Sequence, residues 1–226
     1  MYGRLTAFQP GIGYNQGRVS TEQRSQEFQF DLSGGHLALD FVNSISRRDS
    51  PEKTVEHLNT PRDLISFARQ TGLLSSSQAE ALERNAESRS RAATQTLRNA
   101  IALREAAFRT FLSIAHKKAV AAEDVEPIDK AAIEALRHRH IVHADGGYEW
   151  RWNDDATLGR ILWPIAQSAA ELLTSPELKK VRECEARDCY WLFLDNSRNR
   201  SRRWCSMDSC GNREKARRHY RRQRAS

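Results

Sequence analysis

The chain has 226 residues and a mass of 25.9 kDa, which is enough for one large domain or for one domain and a small module. Hydrophobic residues make up 39% and charged residues 29% of it, and no stretch reaches the roughly 18 apolar residues that a membrane span needs, so we expect a soluble, globular protein. Residues 196–226 contain 11 basic and two acidic side chains, a charge of +9, whereas the rest of the chain carries −2. The net charge of +7 therefore comes from this segment, which predicts a polyanionic partner.

The chain begins with a segment that predicts no structure. Residues 1–27 are rich in Gly, Gln, Ser and Arg and show no periodicity, so we expect a disordered arm. The segment has no apolar stretch typical of a secretory signal. We therefore expect a cytoplasmic protein.

A β-hairpin is predicted next. Apolar and polar residues alternate over 28–32 and again over 37–41, on either side of a Ser-Gly-Gly turn. His36, Asp40 and Asn43 lie in or beside the second of these strands. Two interpretations stay open for them: they bond to nearby backbone, or they line a ligand pocket.

Helices dominate the next hundred residues. Thr60 and Pro61 predict the start of a helix that stops at Gly72. Further apolar periodicities predict two helices within 77–119, a helix over 128–138 started by Pro127, a hairpin over 140–152 and a helix over 158–173. Residues 28–175 are thus expected to form an α+β domain, mostly helical with a small antiparallel sheet. It contains no P-loop, GxGxxG, GxSxG or HExxH motif, so we predict no enzymatic activity.

All the cysteines lie in the last part of the chain. Cys184 and Cys189 form one C-x4-C pair, and Cys205 and Cys210 form a second. Four thiolates are a usual ligand set for structural zinc and leave no open position for water, so we predict one structural Zn²⁺ rather than two disulfides. A segment of about 40 residues has little core of its own, and metal binding should therefore stabilise its fold.

The order of these elements predicts a small zinc module over 180–226. The first pair is followed by an apolar strand at 190–195, and the second pair opens a helix that runs to about residue 224. This order predicts a treble-clef-like zinc finger. On the helix, Ala216 and Tyr220 form a narrow apolar stripe that should dock on the finger.

Several motifs resemble a known family. The stretch LFLDNSRNRSRRWCSM at 192–207, with CGNR at 210–213, resembles the CGNR zinc finger. GGHLALDFVN at 34–43 is similar to the start of the ABATE domain that precedes this finger, and SAAELLT at 168–174 resembles its end. The resemblance implies a bacterial, zinc-containing, stress-related transcription regulator that binds DNA.

The finger carries the candidate nucleic-acid contacts. These side chains are basic, and arginine predominates because its planar guanidinium can bind phosphate or guanine in a bidentate way. They are Arg198, Arg200, Arg202, Arg203, Arg213, Lys215, Arg217, Arg218, Arg221 and Arg222.

The sequence therefore favours a DNA-binding transcription regulator. Its first domain is expected to sense a small-molecule effector or to form a homodimer. Two alternatives remain: an RNA-binding or ribosome-associated protein that uses the same basic finger, and an enzyme of unknown type in the first domain.

Overall fold

A computed structural model describes residues 27–224. Its helices are α1 (Leu37–Val42), α2 (Pro61–Gln70), α3 (Ser76–Ser88), α4 (Ser90–Ala115), α5 (Ala122–Leu136), α6 (Leu162–Thr174) and α7 (Asn212–Gln223). Its strands are β1 (Ile45–Ser46), β2 (Val55–Glu56), β3 (Arg139–Ala144), β4 (Gly147–Trp152), β5 (Val181–Glu183) and β6 (Leu192–Leu194). They pair as three separate antiparallel ribbons, β1–β2, β3–β4 and β5–β6. The expected α+β class, mostly helical, is confirmed.

The hairpin predicted near the start is wrong. Residues 28–32 join no strand, and residues 37–42 form α1 instead. Ala38, Leu39 and Val42 are all buried, a spacing that suits one face of a helix rather than alternate sides of a strand. Of the arm predicted over 1–27, only Glu27 lies within the described residues; its carboxylate accepts a hydrogen bond from Ser66.

Local sequence signals set the ends of the other helices. Thr60 caps α2 in a reciprocal capping box with Asp63, and Gly72 follows the helix with φ +76°. The long helical stretch is divided at Arg89 into α3 and α4, as expected. The prediction for α5 is wrong at its start, because the helix begins at Ala122 and takes Pro127 into its interior. No helix in the described part of the chain is long and apolar enough to span a bilayer.

A buried arginine on α4 pairs with a partly exposed glutamate beside the core. Arg104 is 1% exposed, and its two terminal nitrogens each lie 2.6 Å from an oxygen of Glu56 on β2. Arg104 also donates to the hydroxyl and carbonyl oxygens of Ser44. The short strands β1 and β2 are thus attached to the central helix by charge-assisted hydrogen bonds.

The β3–β4 ribbon turns at Asp145 and Gly146, as the sequence predicts. Gly146 has φ +91°, a conformation that a two-residue hairpin turn requires. At the base of the ribbon, Trp152 packs against Trp163 at the start of α6. Among the described residues, ring contacts therefore join the ribbon to α6 at its base only.

The β5–β6 ribbon joins the main core. Val181, Leu192 and Leu194 are buried in the same cluster as the apolar residues of α1, α2, α4 and α6. Phe193 faces the opposite way and packs with the four cysteines in a second cluster. Alternate residues of β6 therefore belong to two different cores, and the finger is packed tightly onto the rest of the chain.

Candidate metal centre and nucleic-acid interface

Four cysteine side chains converge in the last part of the chain. Their sulfur atoms all lie within 4.8 Å of one another, and all four residues are buried. The sulfur of Cys205 is 3.6 Å from that of Cys189 and 3.6 Å from that of Cys210, and all four cysteines are free of disulfides. Sulfurs bound about 2.3 Å from a tetrahedral zinc would be roughly 3.8 Å apart. The cluster fits one structural Zn²⁺, and the zinc prediction is confirmed.

The electrostatics of the thiols also favour a cation. Hydrogen bonds from Cys189 and the other two sulfurs lower the pKa of the Cys184 thiol. Hydrogen bonding to Cys184 instead raises the pKa of Cys189 and of Cys205, because further thiolates would face existing negative charge. A divalent cation removes this repulsion and lets all four bind as thiolates.

Two tight turns bring the sulfurs together. In the first, Cys184 N donates to the carbonyl oxygen of Trp191 at 2.8 Å, and Cys189 N donates to that of Ala186 at 3.1 Å. In the second, residues 207–211 form one wide helical turn that leads into α7, and Ser206 caps it through Ser209 N. The first cysteine turn connects β5 to β6, and the second leads into α7, which fits the predicted treble-clef-like zinc finger.

Each residue of the CGNR motif lies in close contact with other atoms of the finger. Cys210 supplies a sulfur, and a Cβ at Gly211 would lie 2.5 Å from the sulfur of Met207. Asn212 Nδ2 donates to the carbonyl oxygen of Asp208 at 3.3 Å. Arg213 Nη2 donates to the Cys210 sulfur at 3.2 Å and thereby offsets the negative charge that four thiolates and one Zn²⁺ leave.

Comparison with family models identifies both parts of the chain. Residues 35–176 match the ABATE model, described as "Putative stress-induced transcription regulator". The chain belongs to the ABATE family. Residues 180–223 match the CGNR zinc finger. No curated protein matches the chain significantly. The two matches confirm the resemblance, and neither family is a family of enzymes.

The start of the ABATE region is attached directly to the finger. Asn43 Nδ2 donates to the carbonyl oxygen of Leu192 at 2.8 Å, and Leu192 N donates back to Asn43 Oδ1 at 2.9 Å. Trp191 Nε1 donates to the carbonyl oxygen of Ile45 at 2.9 Å, and Leu194 N donates to that of Gly34 at 2.8 Å. We call this row of contacts the seam.

The three candidate pocket residues all lie on or beside α1. Asn43 uses both groups of its amide in the seam. Asp40 Oδ1 accepts from Gly34 N at 2.8 Å, and burial raises the pKa of this carboxyl to about 7. His36 Nδ1 lies 3.3 Å from the hydroxyl of Ser168 on α6, and burial lowers the pKa of its ring. These contacts give all three residues structural partners, and a ligand role for them stays a prediction.

Two of the candidate arginines hold α7 on the finger. Arg217 donates to Asp188 at 2.9 Å and to Glu214 at 2.5 Å, and Arg213 lies 3.2 Å from Asp188. Arg47 of the ABATE region approaches the same carboxylate at 4.0 Å. Hydrogen bonding from Arg217 lowers the pKa of Asp188, so this carboxylate is charged at neutral pH.

Two more candidate arginines have partners within the finger. Arg202 donates to the carbonyl oxygen of Trp204 at 2.9 Å and stacks over Phe193, 4.6 Å from its ring centre. Arg203 pairs with Glu185 at 2.5 Å. These side chains stabilise the finger before any partner is bound.

The other candidates differ in their exposure and partners. Five basic side chains of the finger are exposed and make no ion pair or side-chain hydrogen bond with any described residue: Arg198, Arg200, Lys215, Arg218 and Arg221. Arg222 is exposed on the same helix. The predicted apolar stripe on α7 is wrong, because Ala216 and Tyr220 are exposed, and Glu214 and Arg217 face the finger instead.

Sequence reasoning missed Asp188 and Glu214 as parts of this site. Glu214 is one of only two acidic residues in 196–226, and that isolation within a basic run could have drawn attention to it. Asp188 gave no such signal, because its contact with Arg217 depends on how α7 folds back over the first cysteine turn.

Proposed function

We propose that this chain is a DNA-binding transcription regulator in which a structural zinc supports α7 against duplex DNA. The proposal rests on one difference among the basic residues of the finger: some have acidic partners and others do not. Arg213 and Arg217 are held by Asp188, whereas Arg218 and Arg221 on the same helix have no acidic partner in the described chain. Unpaired, exposed arginines on a fixed helix are suited to phosphate contacts.

The dimensions of α7 support this role. An α-helix with its side chains is about 10–12 Å across, so the major groove, about 12 Å wide, can admit it, and the 12 residues of α7 extend for about 18 Å. Every residue from Arg218 to Arg224 is exposed, so the second half of the helix is open to a partner. Like charges at this spacing destabilise an isolated helix, and phosphates would relieve that repulsion.

Binding of the zinc-loaded full chain to random-sequence duplex DNA tests the proposal. Fluorescence anisotropy over a salt series measures both affinity and salt dependence. Arg218→Ala with Arg221→Ala should weaken binding at least tenfold and reduce the slope of log K against log salt by about 2, since each phosphate contact contributes about 0.9. The matched control is Arg109→Ala with Arg151→Ala, which removes two exposed, ion-paired arginines outside the finger and should leave both quantities unchanged.

The results separate the alternatives. Equal loss of binding in the control pair would show nonspecific charge attraction and contradict the proposed helix. Tighter binding of structured RNA than of duplex DNA at equal salt would favour the RNA-binding alternative. A metabolite that the full chain binds and converts would favour the enzyme alternative.

We place the protein in the cytoplasm, where its operator would be, and we assign no reaction to it. We also propose that the ABATE region regulates the finger, through an effector or through a homodimer. The seam supplies a direct mechanical connection for such regulation, because Asn43 and Leu192 join the two parts by paired hydrogen bonds.

A further inference from the structure

The outer half of the β3–β4 ribbon exposes large apolar side chains on one face. Ile141 pairs across the ribbon with Trp150, and His143 pairs with Tyr148, so all four lie on the same side. Ile141 is 59%, Trp150 56% and Tyr148 77% exposed. We call this surface the aromatic face.

The aromatic face has no covering layer in the described chain. A two-stranded ribbon is marginally stable alone and needs another layer on one side. Trp152 packs against Trp163, and His138 stacks on the same indole at 3.9 Å, but both contacts lie at the base of the ribbon. Adjacent exposed aromatic side chains of this size mark a contact surface for another molecule.

The charges along the ribbon indicate which molecule fits. Arg139 lies at the base and stacks over Trp150 and Trp152, at 5.2 and 5.3 Å from their ring centres. Asp145 lies at the tip. Neither residue has an oppositely charged partner among residues 27–224. The ribbon therefore carries an unpaired cation at one end and an unpaired anion at the other, about 20 Å apart for six strand residues.

We propose that the aromatic face is a homodimer interface, in which the ribbons of two copies pack face to face and run in opposite directions. A two-fold axis midway between the Ile141–Trp150 and His143–Tyr148 pairs places Arg139 of each copy beside Asp145 of the other. The same pairs then form twice, as an isologous interface requires. The arrangement covers the indole and phenol rings and neutralises both unpaired charges.

Self-complementarity is the reason to prefer a second copy. A different partner would need a cation and an anion at matching separation, whereas a second copy supplies both automatically. A dimer through the finger would bring together two segments of +9 each and is opposed by repulsion. This interface builds on the proposed function, because it would form the homodimer of the regulator, and its test requires no DNA.

Sedimentation velocity of the zinc-loaded full chain across a range of concentrations measures the monomer–dimer equilibrium directly. Tyr148→Lys should raise the dissociation constant of the dimer at least tenfold, because it places a cation in the contact. Val55→Lys is the matched control: Val55 is 46% exposed on a different ribbon, and its substitution should leave the equilibrium unchanged. Thermal unfolding of both variants checks that each folds.

A charge exchange tests the antiparallel arrangement itself. Arg139→Glu alone should weaken the dimer, because two carboxylates would then face each other, and Asp145→Arg alone should weaken it by opposing two guanidinium groups. The double variant restores opposite charges and should recover most of the lost affinity. A chain that stays monomeric throughout, a dimer insensitive to Tyr148→Lys, or a double variant no better than the single ones would each overturn the proposal. DNA binding by a strictly monomeric chain would leave the proposed function standing while removing this interface.

Discussion

At the scale of single residues, the Asp40 carboxyl is held in an unusual position. Its Oδ1 approaches Gly34 so closely that a Cβ at that position would lie 2.7 Å away. Burial is the main reason that its pKa is raised to about 7, although backbone N–H groups of Gly34 and Gly35 oppose the rise. The carbonyl oxygen of Gly34 also accepts a hydrogen bond from Leu194 N. The residue that donates to the Asp40 carboxyl is therefore part of the seam.

Asp40→Asn should change how stability depends on pH. The pKa of this carboxyl is higher in the folded chain than its ordinary value of 3.8, so the folded state holds the proton more tightly and loses relative stability as pH rises from about 4 through 7. Asparagine keeps the acceptor and carries no charge. Urea unfolding should therefore find the variant close to the native chain at pH 4 and more stable than it at pH 8.

The exposed Asp49 supplies the control for that experiment. Asp49→Asn removes an exposed carboxylate and should change stability by less than about 0.5 kcal/mol. A difference between Asp40→Asn and the native chain that stays constant from pH 5 to 8 would contradict the buried-carboxyl account.

At the scale of elements, the sequence predicted those features that depend on neighbouring residues. The capping box at Thr60 and the Asp145-Gly146 turn are local, so both could be recognised from their residue types. The same holds for the four-cysteine site, whose spacing is a local property. Helix α1 could not be recognised in this way, because its burial comes from α4, α6 and β6 rather than from its own six residues. The arginine contacts to Asp188 depend on tertiary structure for the same reason.

The pairing of Asn43 with β6 predicts a large effect for a small substitution. Asn43→Ala leaves the N–H and C=O of the buried Leu192 without partners and should lower the free energy of unfolding by about 2–4 kcal/mol. Urea unfolding of the zinc-loaded chain measures it. Asn59→Ala is the matched control, because Asn59 is an exposed asparagine bonded to one carbonyl oxygen, and should change stability by less than about 0.5 kcal/mol. Equal effects of the two substitutions would refute the role given to the seam.

At the scale of the whole molecule, the metal centre and the main core are joined through β6. Phe193 packs on the cysteines, while Leu192 and Leu194 on either side of it lie in the main core. Loss of the metal therefore affects more than the last 45 residues. It should disturb the apolar cluster that α1, α4 and α6 share.

Zinc removal should consequently destabilise the entire described fold. Incubation with a strong chelator at neutral pH should lower the midpoint of thermal unfolding and keep one cooperative transition, followed by near-ultraviolet circular dichroism and by tryptophan fluorescence. Cys205→Ser should reproduce the effect without chelator, whereas Ser201→Ala, an exposed change in the same segment, should not. Two separate transitions, with the first domain unaffected by zinc, would show that the finger folds independently of the ABATE region.

The place of β5 and β6 in the main core also matters while the chain is being made. Synthesis proceeds from the N-terminus, and domains generally fold in that order as they emerge. Here the apolar cluster cannot close until residues 181–194 have been translated, because Val181, Leu192 and Leu194 complete it. A chain that terminates before residue 181 should therefore keep an open core, and proteases should cleave it more readily than the complete chain.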